Sequence, residues 1–99
     1  MPIELHQDSV ITPAKHLVCR EMGKEIAIFN PQNKIPYILR GTGCSIWKMI
    51  QKSKTAYEIL HSLLKEYEVA PLSCEYELFS FFQKLIAEEL IEVSIRTTI

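Results

Sequence analysis

The sequence predicts an α+β domain: a three-stranded antiparallel sheet followed by three helices, with a short closing strand. Three observations carry this. Apolar residues alternate with period two from His16 to Arg40, then recur at three-and-four spacing from Cys44 to Leu90. Gly23-Lys24 separates two alternating runs as a hairpin turn does. The chain has 99 residues, 47% of them hydrophobic and 23% charged, which suits one compact core and one domain over residues 1–99.

Residues 1–12 are mostly polar and read as an N-terminal arm, with one extended stretch around Ser9–Thr12. His16 to Met22 suits a first strand, with Val18, Arg20 and Met22 on one face and Leu17, Cys19 and Glu21 on the other. Glu25-Ile26-Ala27-Ile28-Phe29 completes the hairpin. Asn30-Pro31-Gln32-Asn33-Lys34 is a turn cluster. Ile35-Pro36-Tyr37-Ile38-Leu39-Arg40 reads as a third strand. Pro36 has no amide donor for a ladder, so it is expected at a strand start or on an edge strand, and the third strand is read as an edge.

Gly41-Thr42-Gly43 ends the sheet. Ile46, Trp47 and Ile50 then predict a short helix ending near Lys52-Ser53. Thr55 is placed to cap a second helix, with Glu58 three residues on as its capping-box partner. Ile59, Leu60, Leu63, Leu64 and Tyr67 form the apolar face of that helix, and Val69-Ala70-Pro71 ends it. A third helix is expected from about Ser73 to Leu90. Its apolar positions, Leu78, Phe79, Phe81, Phe82, Leu85, Ile86 and Leu90, cover about half the circumference at 100° per residue. That arc is wide enough for the core and for a second apolar contact. Ile91 to Ile95 alternates and suits the closing strand. Three helices beside a small antiparallel sheet make a winged-helix-like arrangement.

Several function classes are excluded or disfavoured. No P-loop, GxGxxG, HExxH, GxSxG or Ser-His-Asp frame is present, so no catalysis and no cofactor is expected. Cys19, Cys44 and Cys74 are odd in number and widely spaced; they read as free thiols of a reducing, cytoplasmic compartment, and with the scattered His6, His16 and His61 they offer no metal site. No apolar run is long enough to cross a bilayer, and the first ten residues have no signal-peptide apolar segment. A winged helix raises DNA binding as the alternative function. From Pro71 onward, however, Lys84 and Arg96 stand against five glutamates, a local charge of −3 that phosphate would repel, so no nucleic-acid partner is expected.

The run from Tyr37 to Trp47, in which a strand with Tyr and Leu leads through Gly to Ile-Trp, resembles the PqqD-like family, also called RiPP recognition elements. Thr55 to Ile59 with Leu63 and Glu66 to Val69 is similar to its second helix, and Leu78, Phe81-Phe82, Leu85 and Leu90-Ile91 to its last. Val18-Cys19-Arg20 with the Gly23 turn resembles its opening hairpin, so the resemblance runs from about Val10 to Val93. The chain departs from the family at Arg40, where Asn is common, and at Glu89, where Gly is common.

The resemblance implies a non-catalytic domain that binds the leader segment of a ribosomally made precursor peptide. Such a domain presents the leader to a modifying enzyme such as a radical SAM protein, a cyclase or a leader peptidase. It also implies that the leader adds a strand to the third strand, in a groove shared with the third helix. Ile35, Pro36, Tyr37, Ile38 and Leu39 are then the expected peptide-binding strand. The family pattern is apolar at Phe81 but not at Phe79, so Phe81 is assigned to the core, and Phe79, Gln83 and Ile86 are expected to line the groove with Tyr37 and Leu39. An open edge and an apolar groove also admit a homodimer in the free state.

Overall fold

The computed structural model describes residues 5–32, 35–67 and 70–95. The expected turn residues Asn33 and Lys34, Glu68 and the helix-ending Val69, Arg96 and the first four residues of the arm lie outside the described residues. The elements are β1 (Ser9–Pro13), β2 (Val18–Met22), β3 (Glu25–Phe29), β4 (Tyr37–Arg40), α1 (Thr42–Ile50), β5 (Lys54–Thr55), α2 (Ala56–Glu66), α3 (Pro71–Ala87) and β6 (Ile91–Ile95).

The expected three-stranded sheet is antiparallel, in the order β2-β3-β4. Met22 pairs with Glu25, leaving Gly23-Lys24 as a two-residue turn. Gly23 has φ of 65° and Lys24 does not have positive φ, the pattern of a type II′ turn, whose twist matches the flanking strands. Ile26 lies opposite Leu39 and Ile28 opposite Tyr37, which puts the apolar side chains of β3 and β4 on one core-facing side. The third strand starts at Tyr37 rather than Ile35. Pro36 has no amide to donate, and Ile35 and Pro36 are exposed ahead of the first ladder pair.

The N-terminal stretch enters the fold instead of remaining an arm. β1 is the central strand of a second sheet, β5-β1-β6. Ile11 is fully buried, and the Ser9 hydroxyl accepts from the His6 amide at 2.9 Å, so the polar residue is satisfied where it is buried. The closing strand β6 pairs along the whole of β1, from Ser9 with Ile95 to Pro13 with Ile91.

The helices follow the periodicity. The Thr55 capping box is present: its hydroxyl accepts from the Glu58 amide at 3.1 Å, and the Glu58 carboxylate accepts from the Thr55 amide at 2.9 Å. α3 begins earlier than the sequence suggested, with Pro71 in its first turn and Ala70 as N-cap in place of Ser73. Proline suits that position because the first-turn amide has no helical partner anyway. The helix ends at Ala87. Glu89 adopts φ of 58°, with its amide donating to Ile86 and the Leu90 amide donating to Leu85. This is a Schellman C-terminus with glutamate where glycine costs least.

The core lies between the two sheets and the three helices. It is built from Ile11, Ile26, Ile28, Leu39, Ile46, Trp47, Ile50, Ile59, Leu60, Leu63, Leu78, Phe82 and Leu85, with Leu90 and Ile91 closing it. Trp47 is 3% exposed, as its helical spacing with Ile46 and Ile50 demands. No described helix is long and apolar enough to cross a membrane.

Candidate functional site

β4 pairs with β3 on one side and with no described strand on the other. Alternate residues of an antiparallel edge strand point their N–H and C=O groups away from the sheet, so β4 presents unpaired backbone polar groups. Two short glycine-containing steps then fix what stands next to it. Gly41, with φ of 57°, turns the chain directly from β4 into α1. Gly43 lies within van der Waals reach of both Leu39 and Phe81: a Cβ there would stand 3.6 Å from the Leu39 methyl and 3.5 Å from the Phe81 ring. The ring of Phe81 therefore lies over the start of α1, and α3 runs beside β4.

Between β4 and α3 is a cleft of about 310 Å³. Its strand wall is Tyr37, Ile38, Leu39 and Arg40; its helix wall is Cys74, Glu77, Leu78 and Phe81; Thr42, Gly43, Ile46 and Leu63 form the floor and end. A second hollow of about 300 Å³ shares Thr42, Leu63, Cys74 and Glu77 with the first and continues past Tyr67, Ala70 and Ser73. The Ser45 hydroxyl and the Tyr67 phenol are 3.3 Å apart between α1 and the end of α2.

The structure brings three of the expected site residues together and separates the rest. Tyr37, Ile38 and Leu39 line the cleft. Ile35 and Pro36 lie ahead of β4, exposed and outside its ladder. Phe79 and Gln83 do not face β4: they line a different hollow with Leu72, Glu75, Tyr76 and Ser80. Ile86 is half-buried against the core. The cleft is thus on the opposite flank of α3 from the one expected, and Phe81, which the sequence assigned to the core, is part of its wall. The cause is geometric. Successive residues turn 100° about the helix, so Phe79 and Phe81 fall on opposite sides of buried Phe82. The close approach of Phe81 to Gly43 marks its flank as the one that meets the strand edge.

The charges follow the strand alternation. Arg40, the residue that departs from the family pattern, pairs with the Glu25 carboxylate directly across the ladder. Glu77 is the other charged residue of the cleft, and among the described residues no cation lies within ion-pair distance of it. Burial, and secondarily the Glu77 carboxylate, push the Cys74 thiol above the ordinary cysteine value. Burial raises the Cys19 thiol as well, partly offset by its hydrogen bond to Trp47. Both stay protonated at neutral pH, which is the wrong form for a nucleophile. The Cys44 thiol donates to the Leu39 carbonyl at 3.3 Å and so ties α1 to β4. The described residues hold no cluster of three metal-ligating side chains.

A sheet edge open beside a helix, in a winged-helix-like α+β domain, defines a class of strand-accepting domains. The family model described as Coenzyme PQQ synthesis protein D (PqqD) matches residues 25–91, about two thirds of the chain, and the chain belongs to that family. Among solved structures it is similar to one titled "TbiB1 in Complex with the TbiA(beta) Leader Peptide", at 25% identity and a TM-score of 0.77. The match covers 82% of this chain and 94% of that one. No curated protein sequence matches significantly.

Proposed function

We propose that this domain binds the leader segment of a ribosomally synthesised precursor peptide by strand addition to β4, and delivers it to a modifying or processing enzyme in the cytoplasm. The observation that carries the reading is the open edge of β4 facing the apolar wall of Leu78 and Phe81. Membership of the PqqD family and the likeness to TbiB1, a protein solved with a leader peptide, support it.

The mechanism is backbone pairing with side-chain selection. An extended segment satisfies the outward N–H and C=O groups of β4, for about 1 kcal/mol net per hydrogen bond and with little sequence dependence. Side chains on the inner face of the added strand enter the cleft and gain about 25 cal/mol per Å² of apolar area buried. Ordering the leader opposes both terms. The balance corresponds to a dissociation constant from high nanomolar to micromolar. The domain itself contributes binding and presentation. The partner enzyme, of the radical SAM, cyclase or leader-peptidase kind, supplies the chemistry.

The test is a titration of the labelled domain with a synthetic leader encoded beside it. Saturable binding in that range, lost when the leader is scrambled, supports the reading. Equal affinity for leader and scrambled peptide would remove it.

A further inference from the structure

The cleft carries a charge asymmetry that bears on what peptide it takes, and this inference rests on the strand-addition reading. Two charged residues line it, Arg40 and Glu77. Arg40 is paired with Glu25. Glu77 is unpaired among the described residues and belongs to both hollows, so the helix wall of the cleft keeps one unbalanced carboxylate. The carboxylate is close enough to the Cys74 thiol to hold that proton more tightly.

The spacing matches an extended ligand. Glu77 and Phe81 are four residues apart on α3, about 6 Å along the helix axis. Alternate residues of a strand face the same side and are about 6.6 Å apart. The cleft is lined by four consecutive residues of β4 and by α3 from Cys74 to Phe81, so each element runs along it for about 10 Å. The side-chain repeat of a segment added to β4 is therefore close to the Glu77–Phe81 spacing, with Leu39, Gly43 and Phe81 forming the apolar contact.

We propose that the cleft selects peptides carrying a lysine or arginine two residues from the apolar anchor, with Glu77 as the specificity-determining residue. The same carboxylate disfavours an acidic side chain at that position, so it discriminates by repulsion as well as by attraction.

The experiment uses a phage-displayed library of twelve-residue peptides selected on the full chain. The strongest binder is then resynthesised with its cation intact or replaced by glutamine, and both peptides are titrated against wild type and Glu77→Gln. The expected result is enrichment of an apolar residue with Lys or Arg two positions away. Glu77→Gln then costs the cationic peptide roughly two- to fivefold in affinity, as an exposed ion pair should, and leaves the glutamine peptide unchanged. Binders without the cation, or an equal effect of Glu77→Gln on both peptides, overturn the proposal while strand addition stands. If no peptide is enriched, strand addition itself fails and the proposal falls with it. Glu77 is exposed, so its substitution leaves the fold intact, and an unchanged thermal melt confirms that any loss lies in binding.

Discussion

The two flanks of α3 each carry a phenylalanine beside the core and differ in what stands next to it. Phe79 and Phe81 sit on either side of buried Phe82, with ring centroids 6.5 Å and 6.4 Å from it. Both are half-buried. On the Phe81 flank the helix meets β4 and Gly43 across a cleft with a backbone edge along it. On the Phe79 flank it presents Leu72 and Tyr76, 82% and 75% exposed, beside a hollow with no strand in its lining. An apolar flank becomes a strand-accepting site only where an unpaired edge runs beside it. Aromatic content alone does not distinguish the two.

The largest break in this comparison comes from beneath it. Trp47 holds α1 in the core, and α1 carries Gly43 under Phe81. Trp47→Ala should cost about 3–5 kcal/mol, a large share of the stability of so small a domain, read as a collapse of the urea midpoint. A folded variant with an unchanged midpoint would place this side chain outside the core.

The flanks themselves are compared by Phe81→Ala and Phe79→Ala. Phe81→Ala should lower leader affinity at least tenfold and stability by about 1–2 kcal/mol, since the ring is only partly buried. Phe79→Ala should lower stability by a similar amount and leave affinity within about twofold, the distance from the cleft being the reason. Calorimetric titration alongside thermal melts separates the two effects.

A smaller effect sharpens the role of the edge. Because backbone groups alternate along β4, proline at Tyr37 and proline at Ile38 remove donors that point in opposite directions. One substitution breaks the ladder to β3 and is seen in the melting temperature. The other removes an outward donor and should weaken leader binding about five- to tenfold, the worth of roughly one hydrogen bond. If neither proline changes affinity, the leader does not pair with this strand.

How much of this was legible in the sequence depends on whether the signal is local. The Gly23-Lys24 turn, the Thr55–Glu58 capping box and the buried Trp47 each follow from neighbouring residues, and each is present. β4 is an edge, as expected, but Pro36 does not show why: it stands just ahead of the first ladder pair, where its missing donor marks the start of the strand. The central place of β1 was not legible, because its partners, Lys54-Thr55 and Ile91–Ile95, are distant in sequence and Ser9 disguises a buried position as a polar one. The flank of α3 was not legible either. Periodicity gives the width of an apolar arc, whereas the neighbour of each side is set by the tight Gly41 step from β4 into α1.

The smallest expected effect lies away from the cleft. Glu89 holds a left-handed conformation that costs a side-chain-bearing residue about 1–2 kcal/mol, partly offset by the greater unfolded freedom of glycine. Glu89→Gly should therefore stabilise the domain by about 0.5–1 kcal/mol, a rise of a few degrees in melting temperature, without changing leader affinity. A fall in melting temperature would mean that the glutamate side chain contributes more than its backbone strain costs.

The most direct measurement of the central claim is an amide chemical-shift titration of the labelled domain with its synthetic leader. Strand addition to β4 predicts perturbations along Tyr37 to Arg40, at Gly43, and at Cys74, Glu77 and Phe81. It also predicts new exchange protection at alternate amides of β4 and little change at Tyr76, Phe79 and Gln83. Perturbations centred on Tyr76, Phe79 and Gln83, with β4 amides unchanged, would contradict it.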